Sequence, residues 1–288
     1  MKFTTLLKDG RARLGVVDGD QVIDLNTAQP QVPADLRGAL AAGIDLAAAA
    51  RAAIASAAPR LPLASLAFAP LVPEPGKIIC LGLNYFDHAK EGGREKPEYP
   101  WFFLRGATSL VAHGEAGVLP RVSEKFDYEA ELALVIGKKV PRHVSQDDAP
   151  GYVFGYTCFN DMSVRDYQKR TPQWTIGKNF DGTGGFGPVL VTADELPRGA
   201  TGLKIQGRLN GELMQDANTT DMIWGVAETL SLLSEVLTLE PGDVVVMGTP
   251  AGVGQARTPP VWMKAGDRFE VKIERIGTLT NPIVAEAV

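Results

Sequence analysis

The sequence predicts a chain of the α+β class that is mostly β, with mixed sheets folded into a sandwich or roll and a small α/β domain at the N-terminus. Three observations support this prediction. Short β-rich segments recur from Lys77 to the end of the chain and alternate with turn residues. The chain contains 31 glycines and 20 prolines, a composition that favours many turns over a helical bundle. One clear helical pattern interrupts the strands of the larger part.

The N-terminal part begins with a predicted meander over residues 1–25. Its short strands are separated by Asp9-Gly10 and Asp18-Gly19, dipeptides that favour tight hairpin turns. An alanine-rich stretch follows at residues 33–58, with a break or cap near Gly43. Its regularly spaced leucine and isoleucine residues predict a modest packed helix rather than a disordered tail.

A proline-rich segment, residues 59–76, is predicted to link the two parts of the chain. We therefore place a boundary near residue 72. This divides the chain into a small N-terminal domain, residues 1–72, and a larger domain, residues 73–288.

Short β-rich runs dominate the larger domain. They are KIICLGL, ELALVIG, VFGYTCF, GPVLVT, LKIQGRL, DVVVMG and RFEVKIE. Asn210-Gly211 is a strong hairpin signal between two of these strands. Residues 220–239 form the predicted helix, in which Ile223, Val226, Leu230 and Leu233 recur at helical spacing.

Composition excludes some function classes. The 29 basic and 34 acidic residues give a formal charge of −5, which offers no basic field for nucleic acid. No apolar run is long enough to cross a bilayer, and the first residues lack the apolar core of a secretory signal. Two cysteines, Cys80 and Cys158, do not make a disulfide framework. We therefore expect a soluble, cytoplasmic protein that binds neither nucleic acid nor membranes.

An acidic strand is the first candidate for chemistry. In KFDYEAELALVIG, Asp127, Glu129 and Glu131 project to one face of a predicted strand, just before an apolar run. Carboxylates so placed repel one another unless a cation offsets them, and unpaired charge is costly inside a protein. The alternative is an edge strand with its acids in water. A carboxylate-rich cluster without sulfur favours Mg²⁺ or Mn²⁺ over zinc.

Two further segments carry polar residues next to apolar ones. In LGLNYFDHAKE, His88 and Glu91 are three residues apart, so one helical turn would place the carboxylate beside the imidazole and create a general base. In GYTCFNDMSVRDYQKR, Asp161 offers a third oxygen ligand and Arg165 a planar donor fork. The alternatives are a surface His–Glu pair and a solvated loop with local ion pairs.

A glycine-dense loop, WTIGKNFDGTGGFGPVLVT, contains Lys178, which can neutralise an anion. Neither this loop nor GTPAGVG, residues 248–254, has the spacing of a phosphate-binding fingerprint. Residues 90–100, KEGGREKPEYP, follow the His–Glu pair and are interpreted as a loop that could close over substrate.

Taken together, these segments resemble the fumarylacetoacetate hydrolase family over nearly all of residues 73–288. The likeness rests on seven motifs in the family's order: CLGLNYFDHAKE, DYEAELALVIGKK, GYTCFNDMSVRDYQ, GKNFDGTGGFGPVLVT, NGELMQDANTTDMIW, LEPGDVVVMGTPAGVG and KAGDRFEVKIERIGTL. Residues 1–72 resemble, less specifically, the small N-terminal domain of longer bacterial members, such as acylpyruvases and 2-hydroxyhepta-2,4-diene-1,7-dioate isomerases.

The resemblance implies a mixed β-roll of the family's C-terminal type, Mg²⁺ or Mn²⁺ in the site, and a homodimer. The metal ligands of the family match Glu129, Glu131 and Asp161, and Asp127 is not carried over as a ligand. The catalytic dyad matches His88 and Glu91, with Lys178 as a further catalytic residue. Arg165, Gln168 and Thr249 match positions that line the substrate pocket. The sequence departs from many relatives at Arg105, where they have lysine, and at Gly185 to Pro188, GFGP, where they have PLGP or PMGP.

The resemblance also implies a reaction. The leading expectation is metal-dependent hydrolysis of a carbon–carbon bond in a 1,3-diketone acid such as an acylpyruvate, through an enolate stabilised by the metal. His88 would activate water, and Lys178 and Arg165 would stabilise the oxyanion and the substrate carboxylate. The alternatives are an isomerase, decarboxylase or hydratase of 2-oxo diacids in aromatic-compound catabolism, and a catalytically silent protein that binds a metal.

Overall fold

The fold was analysed in a computed structural model, which describes residues 1–91, 93 and 97–287. The predicted closing loop, residues 90–100, therefore lies partly outside the described residues. The mostly β architecture predicted from the sequence is confirmed. No helix among the described residues combines the length and the apolar character that crossing a bilayer requires.

The N-terminal part contains the predicted meander followed by helices. Its elements are β1 (Lys2–Lys8), β2 (Arg11–Asp18), β3 (Gln21–Asp24), α1 (Leu25–Ala28), α2 (Leu36–Ala41), α3 (Leu46–Ala55) and β4 (Arg60–Pro62). The break near Gly43 is confirmed, since α2 ends before this residue, whose φ is +68°. Asp24, Asp35 and Asp45 cap the three helices by accepting hydrogen bonds from backbone N–H groups of the first turn.

The elements of the central part carry most of the predicted chemistry. They are β5 (Ile78–Gly82), α4 (Phe86–Glu91), β6 (Trp101–Arg105), β7 (Leu110–Val111), β8 (Gly117–Leu119), β9 (Phe126–Asp127), β10 (Ala130–Ile136), β11 (Val153–Asp161), β12 (Ser163–Val164), α5 (Arg165–Gln168) and α6 (Thr175–Lys178). Strand β10 is buried at all seven positions, as its apolar run predicts.

The last part completes the sheets. Its elements are β13 (Gly184–Thr192), β14 (Lys204–Leu209), β15 (Glu212–Asn218), α7 (Val226–Val236), β16 (Val244–Val246), β17 (Arg268–Ile273) and β18 (Gly277–Ala285). The hairpin predicted at Asn210-Gly211 joins β14 to β15, with positive φ at both turn residues.

The strands of the large sheet follow the order β4-β3-β2-β1-β13-β11-β10-β16-β5-β6, with β7 also paired to β13. A second sheet has the order β15-β14-β17-β18-β8, and β9 pairs with β12. Side chains of β10, β11, β14 and β17 meet in one apolar core between the two sheets. Because β10 is flanked by β11 and β16, the residues that precede it enter the interior of the protein.

The large sheet is continuous across the predicted domain boundary. Strand β1 pairs antiparallel with β13, with Phe3 opposite Leu190. The proline-rich segment is packed rather than free, because Leu71 and Val72 are buried and the Leu71 carbonyl accepts a hydrogen bond from Thr5. The division at residue 72 stays a prediction.

The predicted start of the long helix is wrong by several residues. Helix α7 begins at Val226, after Gly225 as its N-cap, and excludes Ile223. The backbone N–H groups of Ile223 and Trp224 donate to the main-chain and side-chain oxygens of Asn84. The first N–H groups of a helix have no partner within the helix, and here those of Ile223 and Trp224 are satisfied by Asn84 instead. The residues before Gly225 therefore form a connection between the helix and the segment that contains Asn84.

Candidate active site

A cavity of about 500 Å³ opens between the ends of β5, β6 and β10, the short helices α4 to α6, and the loop after β16. Eight of the nine residues predicted for the site line it, within the described part of the chain. They are His88, Glu91, Glu129, Glu131, Arg165, Gln168, Lys178 and Thr249. The ninth, Asp161, is fully buried behind Lys178. The tertiary structure thus brings together residues that are up to 161 positions apart along the chain, since Thr249 follows His88 by that distance.

The acids of the predicted strand are inside the protein. Asp127, Glu129 and Glu131 have 0%, 4% and 1% of their surface exposed. The alternative of an edge strand with its carboxylates in water is therefore wrong. One oxygen each of Glu129, Glu131 and Asp161 lie within 4.8 Å of one another.

The prediction of one strand for the three acids is wrong: the strand is interrupted at Tyr128 and Glu129, so Asp127 lies on β9 and Glu131 on β10, and Asp127 has a different environment from the two glutamates. Its carboxylate accepts hydrogen bonds from the backbone N–H groups of Tyr128, Gly254 and Gln255 at 2.7 to 3.0 Å. It also accepts one from Arg165 Nε at 2.8 Å. Asp127 therefore holds Arg165 against the loop that follows β16, and it is not one of the three carboxylates that converge.

Glu129 and Glu131 are two residues apart, but their pKa values are shifted in opposite directions. Glu129 is buried, which by itself would raise its pKa. Lys178 and Arg165, both 2.7 Å from its oxygens, hold that pKa well below its ordinary value. Glu131 accepts a hydrogen bond from Gly248 N–H at 2.6 Å. Burial, with Asp161 and Glu129 close by, raises the pKa of Glu131 well above its ordinary value.

Asp161 lies at the end of β11 between two cations. Arg105 Nη1 donates to Asp161 Oδ1, and Lys178 Nζ lies 2.6 Å from Asp161 Oδ2. The guanidinium of Arg105 also donates to Thr183 and Ser109, so its direction is determined by three elements of the fold. Arg105 was identified in the sequence only as a departure from relatives, and the structure shows that it is a buried partner of a predicted metal ligand.

The residues present fit a hard divalent cation. Four buried carboxylates belong to Asp127, Glu129, Glu131 and Asp161. Three buried cations face them, on Arg105, Arg165 and Lys178. One carboxylate therefore lacks a cation to pair with, namely Glu131, whose ionised form is disfavoured as long as no cation compensates it. A cation bound by the three converging oxygens would compensate it, and oxygen ligands are those that Mg²⁺ and Mn²⁺ prefer.

The predicted dyad is formed on α4. His88 Nδ1 lies 2.7 Å from Glu91 Oε1, as the spacing on one helical turn predicts. Glu91 Oε2 accepts a hydrogen bond from Gly252 N–H at 2.9 Å. His88 is buried and lines the cavity, so the alternative of a surface His–Glu pair is wrong. The loop after β16 thus holds both the dyad, through Gly252, and Glu131, through Gly248.

Hydrogen bonds to other parts of the site hold Thr249 and Gln168 on the cavity wall. Gln168 Oε1 accepts from Arg165 Nη1 at 3.0 Å. Thr249 donates to the carbonyl of Ala130, the residue between Glu129 and Glu131. The solvated-loop interpretation of the Arg165 segment is therefore wrong, because Arg165 and Gln168 are both buried.

Sequence reasoning missed Gln215, which connects the two sheets at the site. Its side-chain oxygen accepts from Ala130 N–H at 2.9 Å, and its Nε2 donates to Thr249 Oγ1 and the Pro250 carbonyl, both at 2.8 Å. Ala130 and Thr249 are 85 and 34 residues away along the chain, so no local pattern marks this residue. Only the packing of β15 against β10 reveals it.

The family model of the fumarylacetoacetate (FAA) hydrolase C-terminal domain matches residues 77–284. The chain therefore belongs to the fumarylacetoacetate hydrolase family, whose members include hydrolases, isomerases and tautomerases.

Individual relatives carry different named activities. Oxaloacetate tautomerase FAHD2A, mitochondrial, of Homo sapiens is 40% identical over 93% of this chain and 85% of its own length. Oxaloacetate tautomerase YisK of Bacillus subtilis is 39% identical over 98% of this chain and 100% of its own. Maleylpyruvate hydrolase from Sphingobium sp. SYK-6, solved in complex with manganese(II) ion and pyruvate, is 32% identical with a TM-score of 0.83 over the full length of both chains.

Proposed function

We propose that this chain is a divalent-metal-dependent enzyme that acts on a 2-oxo acid through its enolate. The observation that carries the proposal is that the His88–Glu91 dyad and the carboxylates of Glu129 and Glu131 line one cavity. A cation bound by Glu129, Glu131 and Asp161 would act there as a Lewis acid toward the 2-oxo acid. Mg²⁺ or Mn²⁺ is the proposed ion, and Mn²⁺ is present with pyruvate in the maleylpyruvate hydrolase relative.

Arg165 supplies the proposed contact to the substrate carboxylate. Its Nε and Nη1 are held by Asp127, Glu129 and Gln168, whereas its buried Nη2 has no hydrogen-bond partner among the described residues. A buried guanidinium N–H without a partner is costly, and a carboxylate oxygen would satisfy it. Arg165 lines the cavity, so the proposed contact is within the same space as the dyad.

The dyad would carry out the proposed proton transfers, and Lys178 would stabilise the negative charge that develops. Glu91, itself held by Gly252, orients the His88 ring and favours its role as a base. The ammonium of Lys178 would stabilise negative charge that develops on a substrate oxygen. Burial by itself would lower the pKa of Lys178, but Asp161 and Glu129 raise it above its ordinary value, so the group stays charged at neutral pH.

Keto–enol tautomerisation is the first reaction that these residues support. His88 would take a proton from the carbon next to the 2-oxo group and return a proton to the enolate oxygen, or act in the reverse direction. The specific observation in favour of this reaction is that relatives 39% and 40% identical over nearly the whole chain are named oxaloacetate tautomerases.

Hydrolysis of an acylpyruvate is the second candidate. His88 would take a proton from water, whose oxygen attacks the 4-oxo carbon. The bond from C4 to C3 then breaks, the electron pair remains on C3 as the enolate, and C3 receives a proton to give pyruvate and a carboxylic acid. The likeness to maleylpyruvate hydrolase and a cavity that continues beyond the charged residues favour this reaction.

One assay panel tests the proposal. Purified protein with Mg²⁺ or Mn²⁺ is given oxaloacetate, followed by the absorbance of its enol, and acylpyruvates, followed by the masses of the products. Turnover that EDTA abolishes is expected. His88→Ala should lower the rate by about 10² to 10⁴, whereas His143→Asn, at an exposed histidine, should not change it. An unchanged rate in His88→Ala would contradict the role of the dyad, and no metal-dependent turnover of any 2-oxo acid would contradict the proposal.

A further inference from the structure

The peptide group between Met247 and Gly248 lies just after β16, where the chain reaches the site. Its N–H group, that of Gly248, donates a hydrogen bond of 2.6 Å to Glu131 Oε2. Its carbonyl group, that of Met247, accepts a hydrogen bond of 2.7 Å from Asn84 Nδ2. One peptide group is therefore held from both sides, by the carboxylate of a proposed metal ligand and by a side-chain amide.

The side chain of Asn84 has a single orientation. It is fully buried, and its Nδ2 donates a second hydrogen bond, of 3.0 Å, to the Trp224 carbonyl. Its Oδ1 accepts a hydrogen bond from Trp224 N–H at 2.8 Å. Rotating the amide by half a turn would place Nδ2 against this N–H and Oδ1 against two carbonyl oxygens. The three hydrogen bonds therefore determine which atom of the amide faces Met247.

The main chain of Gly248 packs directly against Asn84. Gly248 has a φ of +89°, and an added Cβ would lie 2.7 Å from the Cβ of Asn84 and 3.3 Å from the Leu81 carbonyl oxygen. Only glycine combines this backbone conformation with so close an approach. The position of the peptide group relative to Asn84 is therefore determined by packing as well as by the hydrogen bond.

Three polar groups thus form one chain of hydrogen bonds, which runs from the Asn84 amide through the Met247–Gly248 peptide group to the Glu131 carboxylate. Hydrogen bonds in series polarise one another, so a donor at the Met247 carbonyl makes the Gly248 N–H a stronger donor toward Glu131. All four residues are buried, where such bonds are stronger than in water. Asn84 does not line the active-site cavity, so its influence on the site passes through this peptide group.

We propose that Asn84 is a positioning residue for the metal site, and that it holds the Glu131 carboxylate in its metal-binding orientation through the Met247–Gly248 peptide group. This inference rests on the proposed function for the role of Glu131 as a ligand. The other two proposed ligands are held by buried lysine and arginine side chains. Glu131 has no such ion pair within the described part of the chain, so its orientation depends more strongly on a neutral donor.

Metal affinity and a chemical shift measure the effect without an activity assay. The dissociation constant of Mn²⁺ is measured by calorimetry, and the proton shift of the Gly248 amide is measured by NMR on the metal-free protein. In Asn84→Ala, we expect the Kd of Mn²⁺ to rise about tenfold, as when other groups that orient a metal ligand are removed. The Gly248 amide proton should move upfield, because its N–H becomes a weaker donor.

Asn281→Ala is the matched control. Asn281 is also fully buried, and its Nδ2 donates to the carbonyls of Ala112 and Glu115, both at 2.9 Å. None of these three residues lines the active-site cavity. This variant also loses two buried hydrogen bonds and should be less stable, but it should keep the Mn²⁺ affinity and the Gly248 shift of the original protein.

Two further measurements apply if Asn84→Ala fails to fold. Asn84→Ser has a hydroxyl that is too short to reach the Met247 carbonyl and should show the same changes. The original protein needs no variant: both Nδ2 hydrogens of Asn84 should exchange slowly with deuterium, because each is donated to a buried carbonyl.

Each outcome decides the inference. An unchanged Kd of Mn²⁺ in the Asn84 variants, or an equal rise in Asn281→Ala, would overturn it and leave the proposed function standing. A raised Kd with an unmoved Gly248 amide would overturn the route through the peptide group, as would rapid exchange of the Asn84 amide. If the original protein binds no Mn²⁺, the proposed function itself is contradicted, and the role of Asn84 with it.

Discussion

At the scale of single residues, the three acids at alternate positions 127, 129 and 131 have three different environments. Asp127 is satisfied by three backbone N–H groups and Arg165. Glu129 is neutralised by Lys178 and Arg165, and Glu131 accepts from one backbone N–H beside two other carboxylates. The alternation of the strand predicts that they share a face, but their partners come from distant segments. The sequence alone therefore could not assign separate roles to them.

Glu131→Gln is expected to separate metal binding from folding. Without metal, the variant should unfold at the same temperature as the original protein or a higher one, because burial, Asp161 and Glu129 already favour the neutral form of Glu131, and a neutral amide replaces it. The original protein should gain about 2.7 kcal/mol at Mn²⁺ concentrations near 100 times Kd, and the variant should lose this gain. Thermal unfolding with Mn²⁺ and with EDTA measures both effects. Glu240→Gln, at an exposed carboxylate, serves as the control, and a full Mn²⁺ shift in Glu131→Gln would exclude Glu131 as a ligand.

Arg105 gives a second test at this scale. Arg105→Met should lower the free energy of unfolding by about 3 to 5 kcal/mol, because it leaves the fully buried Asp161 carboxylate with one cation instead of two. Arg105→Lys keeps the positive charge and should lose less. Urea unfolding of both variants in EDTA measures the difference. Equal stability of Arg105→Met and the original protein would show that the pair contributes nothing.

At the scale of elements, the loop after β16 organises the site. Gly248 N–H holds Glu131, Gly252 N–H holds Glu91, and Gly254 N–H holds Asp127. The sequence GTPAGVG shows that the loop is rich in glycine and lacks the spacing of a phosphate-binding fingerprint. Which donor meets which carboxylate depends on packing against α4 and β9. Local sequence contains no information on those contacts.

Gly252→Ala is expected to damage the dyad through the backbone. Gly252 has a φ of +102°, and an added Cβ would lie 2.2 Å from the Met214 carbonyl oxygen. The loop must shift, so Glu91 loses its N–H donor, and kcat should fall by about 10²-fold. Gly266→Ala is the matched control, since Gly266 also has positive φ but nothing within 4 Å of an added Cβ. Equal losses of kcat in both variants would assign the effect to backbone strain alone.

Helix α7 shows that hydrophobic periodicity alone does not locate the first residue of a helix. Ile223, Val226, Leu230 and Leu233 fit a helical spacing, yet the helix begins only at Val226. Asn84, 140 residues before Trp224, bonds this segment and also the Met247 carbonyl. A buried side-chain amide with three hydrogen bonds outweighs the modest helix preference of three residues.

At the scale of the whole molecule, one continuous sheet connects the N-terminal meander with the site-bearing strands. His113 lies between β7 and β8, and its Nδ1 accepts a hydrogen bond from Thr280 N–H of β18. Only the neutral ring can accept, and burial lowers the pKa of His113 below its ordinary value. This segment therefore depends on an uncharged imidazole.

The stability of the fold should fall as the pH drops below about 6.5. In that window the unfolded chain binds a proton at His113 and the folded chain does not, so the free energy of unfolding decreases until the lower folded pKa is reached. His113→Asn keeps an acceptor without a titrating group and should show a weaker dependence on pH. Urea unfolding at pH 7.5 and 5.5 measures the difference. The same pH dependence in both proteins would contradict the role of His113.

We also propose that the chain forms a homodimer, as the resemblance to the family implies. Light scattering on the purified protein should then give twice the chain mass of 30.8 kDa. The mass of one chain across the concentrations used for activity would contradict the proposal.

The amino-acid sequence alone was enough to predict the class of the fold, the family and the short-range geometry of the site. The apolar run after Glu131 predicted a buried strand, and the spacing of His88 and Glu91 predicted their contact, because both depend on local backbone periodicity. The pairing of Arg105 with Asp161 and the bridge that Gln215 makes between the sheets could be seen only in the folded protein. These contacts join residues far apart in the chain. They exist because buried polar groups must find partners and apolar rings must be packed, wherever the fold brings such groups together.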